Sequence, residues 1–515
     1  MTAEKKISTE VQSPFLQSCD ISLDDFKVGP FTMVIFGGAG DLSTRKLLPS
    51  LYHLFCENLI QSFSILGFAR TKLSTDEYRK VAHDAIKTFS PDMYDVEKCS
   101  AFCENLFFEQ AHETVDGTYD TLSCRVTELC NRNKCDNLIY YLAVPPEAVP
   151  PIIDRLAKLN LCRSKANAKI VIEKPFGRDK KSAEELNNCI LKAFNEKQVY
   201  RIDHYLGKES VQNILFFRFT NTIFEPVWNR DYINHVQITV AEEIGIENRG
   251  VFYEQAGILQ DIIQNHMMQL IALVAMEPPV GMEADYVRDE KIKVVHELRK
   301  MDDSYIDLHT VAGQYAEGDI SGKAVNAYRR EKNVSPSSCM PTYFAGTFYI
   351  DNWRWSGVPF YVRSGKRLAK RTTQISIEFK YPPLKLFGRT CDNTEPNTLV
   401  FNIQPQQEIS LQFSVKYPGQ GNRTCPVDML FNYEKIFNTK RNPDYERLLI
   451  DCIKGDLMLF ARQDGILAMW DIVDPIIARW EKTYAEDIPL YTAGSMGPKG
   501  ADKLLEKDGR LWRPL

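Results

Sequence analysis

The apolar positions of the chain follow two regimes. Up to about residue 200, short continuous apolar runs alternate with stretches of helical spacing. Phe31 to Phe36, Phe63 to Ala69, Asn137 to Val144 and Ala168 to Ile172 have the length of buried strands and are rich in β-branched or aromatic residues. Between the first two, Leu42, Leu47, Leu48, Leu51 and Leu54 recur on one face of a helix. Strands that alternate with helices in this way predict a parallel sheet covered on both faces. Near Arg201 the pattern changes. Val236 to Ala241, Thr347 to Ile350, Gln374 to Tyr381, Leu399 to Gln404 and Ile409 to Val415 are extended, several with period-two alternation. They predict a largely antiparallel sheet with one wetter face. Two long helices, near Phe252 to Met276 and Asp444 to Phe460, are expected to cover its other face.

Composition narrows the chemistry. The 515 residues are 44% apolar and carry 63 Lys plus Arg against 68 Asp plus Glu, which excludes a disordered chain. A net charge of -5 gives no global attraction to nucleic acid or an anionic membrane, so any anion site must be local. The thirteen cysteines include no C-x-x-C pair and no zinc-type spacing, which points to reduced thiols and no metal. Residues 1–27 are polar and lack the cationic start and apolar run of a secretory signal, and no apolar stretch approaches the ~20 residues of a membrane helix. The expected location is the cytoplasm.

The first strand runs into Gly37, Gly38, Ala39 and Gly40, then Asp41, Leu42 and a helix. There, backbone N–H groups and a helix dipole can meet a pyrophosphate. The spacing is G-x-x-G, so a plain tight turn is the alternative. The second strand ends at Arg70, with Lys72 beside it and Lys46 on the first helix. Cations rather than a carboxylate at that position favour a 2′-phosphate, hence NADP over NAD. The fold class follows: a tail over 1–27, an α/β Rossmann-type NADP-binding domain over 28–205, and a large α+β domain with a mainly antiparallel sheet over 206–515.

Arg201 to Lys208 packs two cations, Asp203, His204 and Tyr205 into eight residues at the proposed boundary, a donor set suited to a phosphate dianion. His266 lies in the apolar stripe of the helix after Gly250. Alone it reads as a satisfied core histidine, but a partner carboxylate such as Asp203 would make it a general base. Asp261 and Glu242 are further carboxylates in apolar sequence that need polar company. Lys174, in Glu173 to Gly177, ends a sheet strand, the edge where open α/β sheets bind ligands; Pro175 is a candidate cis or tight-turn position. Arg363, Lys366, Arg367, Lys370 and Arg371 form a basic patch, either a solvated loop or a second phosphate clamp.

Together, Gly37 to Leu42, Gly67 to Arg70, Tyr141 to Pro146, Glu173 to Gly177, Arg201 to Lys208, Asp261 to His266 and Arg363 to Lys366 resemble the glucose-6-phosphate dehydrogenase family over residues 30–515. The resemblance implies that His266, oriented by Asp203, takes the proton of the carbon 1 hydroxyl of glucose 6-phosphate while hydride passes to NADP⁺. It implies that His204, Tyr205 and Lys208 hold the phosphate, that Glu242, Asp261, Lys174 and Lys366 position the sugar, and that Arg371 and Gln404 complete the rim. Gly37, Gly38, Ala39, Gly40, Asp41, Leu42, Lys46, Arg70, Tyr141 and Lys174 would bind the cofactor. It also implies a homodimer or homotetramer through the large sheet. The chain departs from the family's second, structural NADP site: those positions hold Thr372, Ser376, Asn402, Ser410, Gln412 and Met496, so a single NADP per chain is expected. Ala39 stands where Ser is common, and Gln260 where Arg often precedes the sugar-binding carboxylate. The competing readings are an NAD(P)-dependent sugar oxidoreductase of the glucose-fructose oxidoreductase type, with Lys as the acid/base group, and a nucleotide sensor without catalysis.

Overall fold

A computed structural model describes residues 27–111, 117–159, 168–384, 395–419, 424–437 and 444–515. Residues 1–26 of the expected tail lie outside them.

Six parallel strands form most of the first sheet: β1 (Phe31–Phe36), β2 (Phe63–Ala69), β3 (Leu106–Gln110), β4 (Leu138–Leu142), β5 (Ala168–Ile172) and β6 (Val199–Ile202). Their order is β3-β2-β1-β4-β5-β6, with the reversal of strand order between β1 and β4. In open sheets of this order, ligands bind beyond the carboxyl ends of the strands at that crevice. Gly37, Ala143, Lys174 and Asp203 all follow strand ends on this edge. The crevice needs glycine. Gly37 has φ +78°, and a Cβ on it would lie 2.3 Å from the carbonyl oxygen of Ala143. A Cβ on Gly38 would lie 2.5 Å from the Cα of Gly67.

The second sheet has nine strands. In chain order its first members are β7 (Ile233–Ala241) and β8 (Thr310–Ala316); β9 (Gly318–Ile320) and β10 (Lys323–Val325) form a separate small ribbon. Then come β11 (Tyr343–Phe348), β12 (Phe360–Gly365), β13 (Thr372–Phe379), β14 (Thr398–Gln404), β15 (Glu408–Lys416) and β16 (Thr424–Asn432). The chain returns to the first sheet with β17 (Phe460–Ala461) and ends the second with β18 (Leu490–Thr492). The order is β16-β15-β14-β13-β7-β12-β11-β8-β18, antiparallel except for β7 with β12 and β8 with β18. One face packs Val236, Ile238, Val240, Val362, Ile375 and Ile377 into a core continuous with that of the first sheet.

Two expectations are corrected. The opposite face is not wet at the centre: His235, Gln237, Thr239 and Gln374 are buried there under the C-terminal segment. Gln237 donates to the carbonyl of Leu511, Gln374 to that of Pro514, and the N–H of Arg513 donates back to Gln237. Its alternation of apolar and polar residues therefore marks two buried faces, one of them hydrogen-bonded. The second correction concerns Asp444 to Phe460. The helix ends at Lys454 and lies on the first domain, where Asn137 and Lys169 donate to the carbonyl of Ile453, and β17 then pairs antiparallel with β6. Its apolar stripe, including Leu448, Leu449 and Ile453, fits either sheet, so periodicity did not distinguish them.

Gly38→Ala is expected to destabilise the protein by roughly 1–3 kcal/mol, because the new methyl meets backbone rather than a movable side chain. Gly29→Ala, with nothing within 4 Å of the new carbon, should stay within about 0.5 kcal/mol of the parent. Paired thermal melts compare the two.

Candidate active site

The first functional side chains come from the turn after β6. Asp203 is 2% exposed, and its Oδ1 accepts the N–H of Tyr205 at 3.0 Å and lies 2.5 Å from Nδ1 of His266. His266 comes from the segment Gly250–Ala275, which the sequence reads as one helix but which has three windings. A helix from Gly250 to Ile258 is broken at Gly257, with φ +55°; Leu259–Met267 is wound as a π-helix; an α-helix then runs from Met268 to Ala275. The i to i+5 bonding of a π-turn stacks residues five apart. Asp261 and His266 are five apart, and both line one cleft of about 670 Å³. An α-helix would have turned one of them away.

His266 is fully buried, and the rings of Tyr205 and His204 enclose it at 4.2 and 4.5 Å between centroids. The carboxylate opposite Nδ1 fixes the proton on that nitrogen, leaving the Nε2 lone pair available. Nε2 has no hydrogen-bond partner, a deficit that costs about 1–3 kcal/mol in a buried group. Burial lowers the imidazole pKa below its ordinary value, and Asp203 offsets part of that shift. Burial pushes the Asp203 carboxyl up, but His266 beside it outweighs this and holds it down at about 2. His204 is held well below the ordinary imidazole range by burial and then by His266. At neutral pH the cluster is therefore a carboxylate and two neutral imidazoles. These three residues also place ligand-type atoms within 4.8 Å of one another.

A second charged group sits alongside. Lys174 donates to the carbonyl of Asp261 at 2.7 Å and to its Oδ1 at 3.1 Å. Lys366, 1% exposed, bonds Glu242 and lies 3.2 Å from Oδ2 of Asp261. Burial opposes the Asp261 charge, but Lys174 and Lys366 overcome it and hold this carboxyl well below the usual range. Arg371 donates to Gln404 at 2.8 Å on the rim. Tyr205 lies 3.5 Å from the hydroxyl of Thr373, and Lys208 is ion-paired with Asp444. Lys174, His204, Tyr205, Lys208, Glu242, Asp261, His266, Lys366, Arg371 and Gln404 thus line a single cleft, which Asp41, Leu42 and Lys46 enter from the glycine turn. Arg70 stands exposed at the end of β2.

The structure separates other residues that the sequence grouped. Tyr141, expected to touch a nucleotide, is sealed within β4 and donates to Glu173 at 2.5 Å. It supports the strand end and does not line the cleft. Burial raises the Glu173 carboxyl to about 7. The basic patch is not continuous. Arg363 is buried on the far face of the second sheet, bonded to the carbonyl of Arg513 and stacked on Trp512, while Arg367 reaches Glu331 at 3.4 Å. The outward alternation along β12 sends Arg363 and Lys366 to different surfaces. The Lys174–Pro175 peptide is cis. Sequence reasoning missed Arg249, which lines this cleft and a neighbouring one of about 840 Å³ with Pro145, Pro175 and Arg178. It also missed Asp444 and Glu446; their acidic helix start was the available signal, but such residues ordinarily just serve the helix dipole.

Two family models cover most of the chain. The one described as glucose-6-phosphate dehydrogenase, NAD binding domain, matches residues 34–213, and the one described as glucose-6-phosphate dehydrogenase, C-terminal domain, matches residues 215–513. The chain is 44% identical over 496 residues to glucose-6-phosphate 1-dehydrogenase of Chlamydia pneumoniae, covering 94% of this chain and 96% of that protein. It is 40% identical over 486 residues to the enzyme of the same name from Bacillus subtilis, covering 93% and 97%. A solved structure of glucose-6-phosphate dehydrogenase in complex with its substrate glucose-6-phosphate superposes with a TM-score of 0.86 at 31% identity, covering 95% of this chain and 99% of that one.

The dyad predicts a titration. Histidine-selective NMR should find the His266 midpoint below the ordinary imidazole value, with the proton of the neutral ring on Nδ1. Asp203→Asn removes the neighbour that favours the imidazolium and should move that midpoint lower still. A midpoint above that of a solvent-exposed histidine would contradict this account.

Proposed function

This chain belongs to the glucose-6-phosphate dehydrogenase family, and from that premise we propose how its own residues carry the reaction. It is an oxidoreductase that oxidises D-glucose 6-phosphate at carbon 1 to 6-phospho-D-glucono-1,5-lactone, with a nicotinamide dinucleotide as hydride acceptor. The observation that carries the mechanism is the buried, unpartnered Nε2 of His266, backed by Asp203 on the other ring nitrogen.

Nε2 accepts the proton of the carbon 1 hydroxyl. Asp203 holds the ring in the required tautomer and stabilises the imidazolium as it forms, a role for which a carboxyl held at about 2 is always ionised at working pH. Asp261, fixed by Lys174 and Lys366, accepts from sugar hydroxyls together with Glu242. Lys208, His204 and Tyr205 hold the phosphate, and Arg371 with Gln404 closes the rim. With His266 fully buried beside the rings of Tyr205 and His204, little water competes for the proton. Lys174 is already committed to Asp261, which disfavours the glucose-fructose oxidoreductase reading in which Lys is the acid/base group.

The fold fits the dinucleotide at the β1/β4 crevice, where the glycine turn has no room for a Cβ at Gly37 or Gly38. A bound dinucleotide supplies the hydride-accepting ring. Gly37 to Leu42 would meet the pyrophosphate, while Arg70 and Lys46 would meet a 2′-phosphate, so the cofactor is NADP. One NADP per chain is the stoichiometry, because Thr372, Ser376, Asn402, Ser410, Gln412 and Met496 supply no cation for a second. The assembly is a homodimer or homotetramer, which light scattering can weigh. The ten described cysteines are free, which suits the cytoplasm, and none of the described helices is long and apolar enough to cross a membrane.

His266→Ala should lower kcat about 10²-fold or more while the Kd for glucose 6-phosphate changes only a few-fold. Most turnover surviving in His266→Ala and vanishing in Lys174→Ala would instead support a lysine mechanism. Equilibrium titration with NADP⁺ should count one site per chain, and Arg70→Ala should weaken it about 10- to 100-fold while sparing NAD⁺. Two tight sites, or equal losses for both nucleotides, would overturn the cofactor assignment.

A further inference from the structure

Lys208 is the buried cation of the phosphate-binding group, 4% exposed at its side chain, yet its Nζ already has an anionic partner. That partner is Oδ2 of Asp444, the first described residue of the helix Asp444–Lys454, which approaches from the far end of the chain. The other carboxylate oxygen, Oδ1, is buried without a hydrogen-bond partner. Asp444 shares the 670 Å³ cleft with Lys46, His204, Tyr205, Lys208 and Arg371.

Several contacts hold the helix carrying Asp444 in place. A Cβ on Gly207 would meet the carbonyl oxygen of Asp444 at 2.3 Å, so the helix start is pressed against the turn that carries Lys208. His53 lies 2.6 Å from Glu446, and two side chains of the first domain bond the carbonyl of Ile453. The carboxylate therefore cannot withdraw by a shift of the whole helix without breaking these contacts.

We infer that Asp444 is a specificity-determining residue, a resident carboxylate that competes with the substrate's phosphate for Lys208 and so sets the affinity of the site for phosphorylated ligands. This rests on the reading of His204, Tyr205 and Lys208 as the phosphate site. The reasoning is electrostatic. A phosphate dianion that enters the cleft must take the Lys208 ammonium from Asp444, and the displaced carboxylate must turn aside or bind a proton. Like charges at this range repel more strongly in a partly desolvated site than in water. Burial, the first influence on the Asp444 carboxyl, raises its pKa; Lys208, Lys46 and Arg371 offset part of that rise. The buried Oδ1 has no hydrogen-bond partner to steady the carboxylate. A resident anion also spares Lys208 the cost of being buried unpaired before substrate arrives.

The test is Asp444→Asn, which retains shape and an acceptor for Lys208 but removes the charge. The KM for glucose 6-phosphate and the competitive inhibition constant of inorganic phosphate should both fall, by roughly 3- to 10-fold, while kcat stays within about twofold. Asp444→Glu, which keeps the charge, should show no such fall. Asp444→Ser, a second neutral variant, should repeat the effect of Asn and serves if the Asn protein does not fold. Unchanged or raised constants in both neutral variants would overturn the inference, as would an equal fall in Asp444→Glu. Lys208→Ala separates the two readings, since it should raise both constants at least tenfold. If it leaves them unmoved, the phosphate-site reading fails; if it raises them while the Asp444 variants change nothing, only the role of Asp444 fails.

Discussion

The pairing of one carboxylate with one imidazole, both withdrawn from water, is the constraint around which this molecule is arranged. Asp203 comes from the turn after the last parallel strand of the first sheet and His266 from a helix of the second domain, so their contact exists only when the two halves are packed together. Neither group would be stable there alone. A buried carboxylate would take up a proton and a buried imidazole would leave a donor or acceptor unmatched. Side by side, each supplies what the other's burial removes, and the remaining ring nitrogen is left without a hydrogen-bond partner.

The same logic recurs with more charge a few ångströms away. Asp261 carries two lysines and Lys366 carries two carboxylates, so a network rather than a pair is held in a chain whose overall charge is mildly acidic. Such networks are weak sources of stability, because desolvation offsets much of the attraction. Their contribution here is geometric: Lys174 and Lys366 fix the carboxylate of Asp261, and Lys366 also fixes that of Glu242. Tyr141 and Glu173 extend this support behind the strand end, where the hydroxyl of one satisfies the buried carboxyl of the other.

Much of the first domain was legible because its strands are buried on both faces and read as unbroken apolar runs; β1, β2 and β5 lie where the runs are. Asp203 to Lys208 was legible for a different reason, since few structural roles require that mixture of side chains. What periodicity could not supply was partnership. β3, β6, β8, β12 and β16 were missed; β12 is buried on both faces and carries Arg363 inward, and β16 is half exposed. The π-winding that brings Asp261 and His266 to one face leaves no mark in a 3.6-residue pattern. Arg363 and Lys366, neighbours in sequence, part company because a strand alternates its faces, and the destination of Arg363 depends on where the last six residues fold. The destination of Asp444 to Lys454 depends likewise on a strand pairing formed after it.

That late pairing has a mechanical consequence. Between β16 and the helix Gln463–Thr483 the polypeptide leaves the second lobe, lays one helix and two strand residues on the first, and goes back. The lobes are therefore sewn together at three crossings instead of hanging from one tether. Because β17 pairs with β6 inside the first sheet, any opening of the lobes would have to strain all three crossings at once.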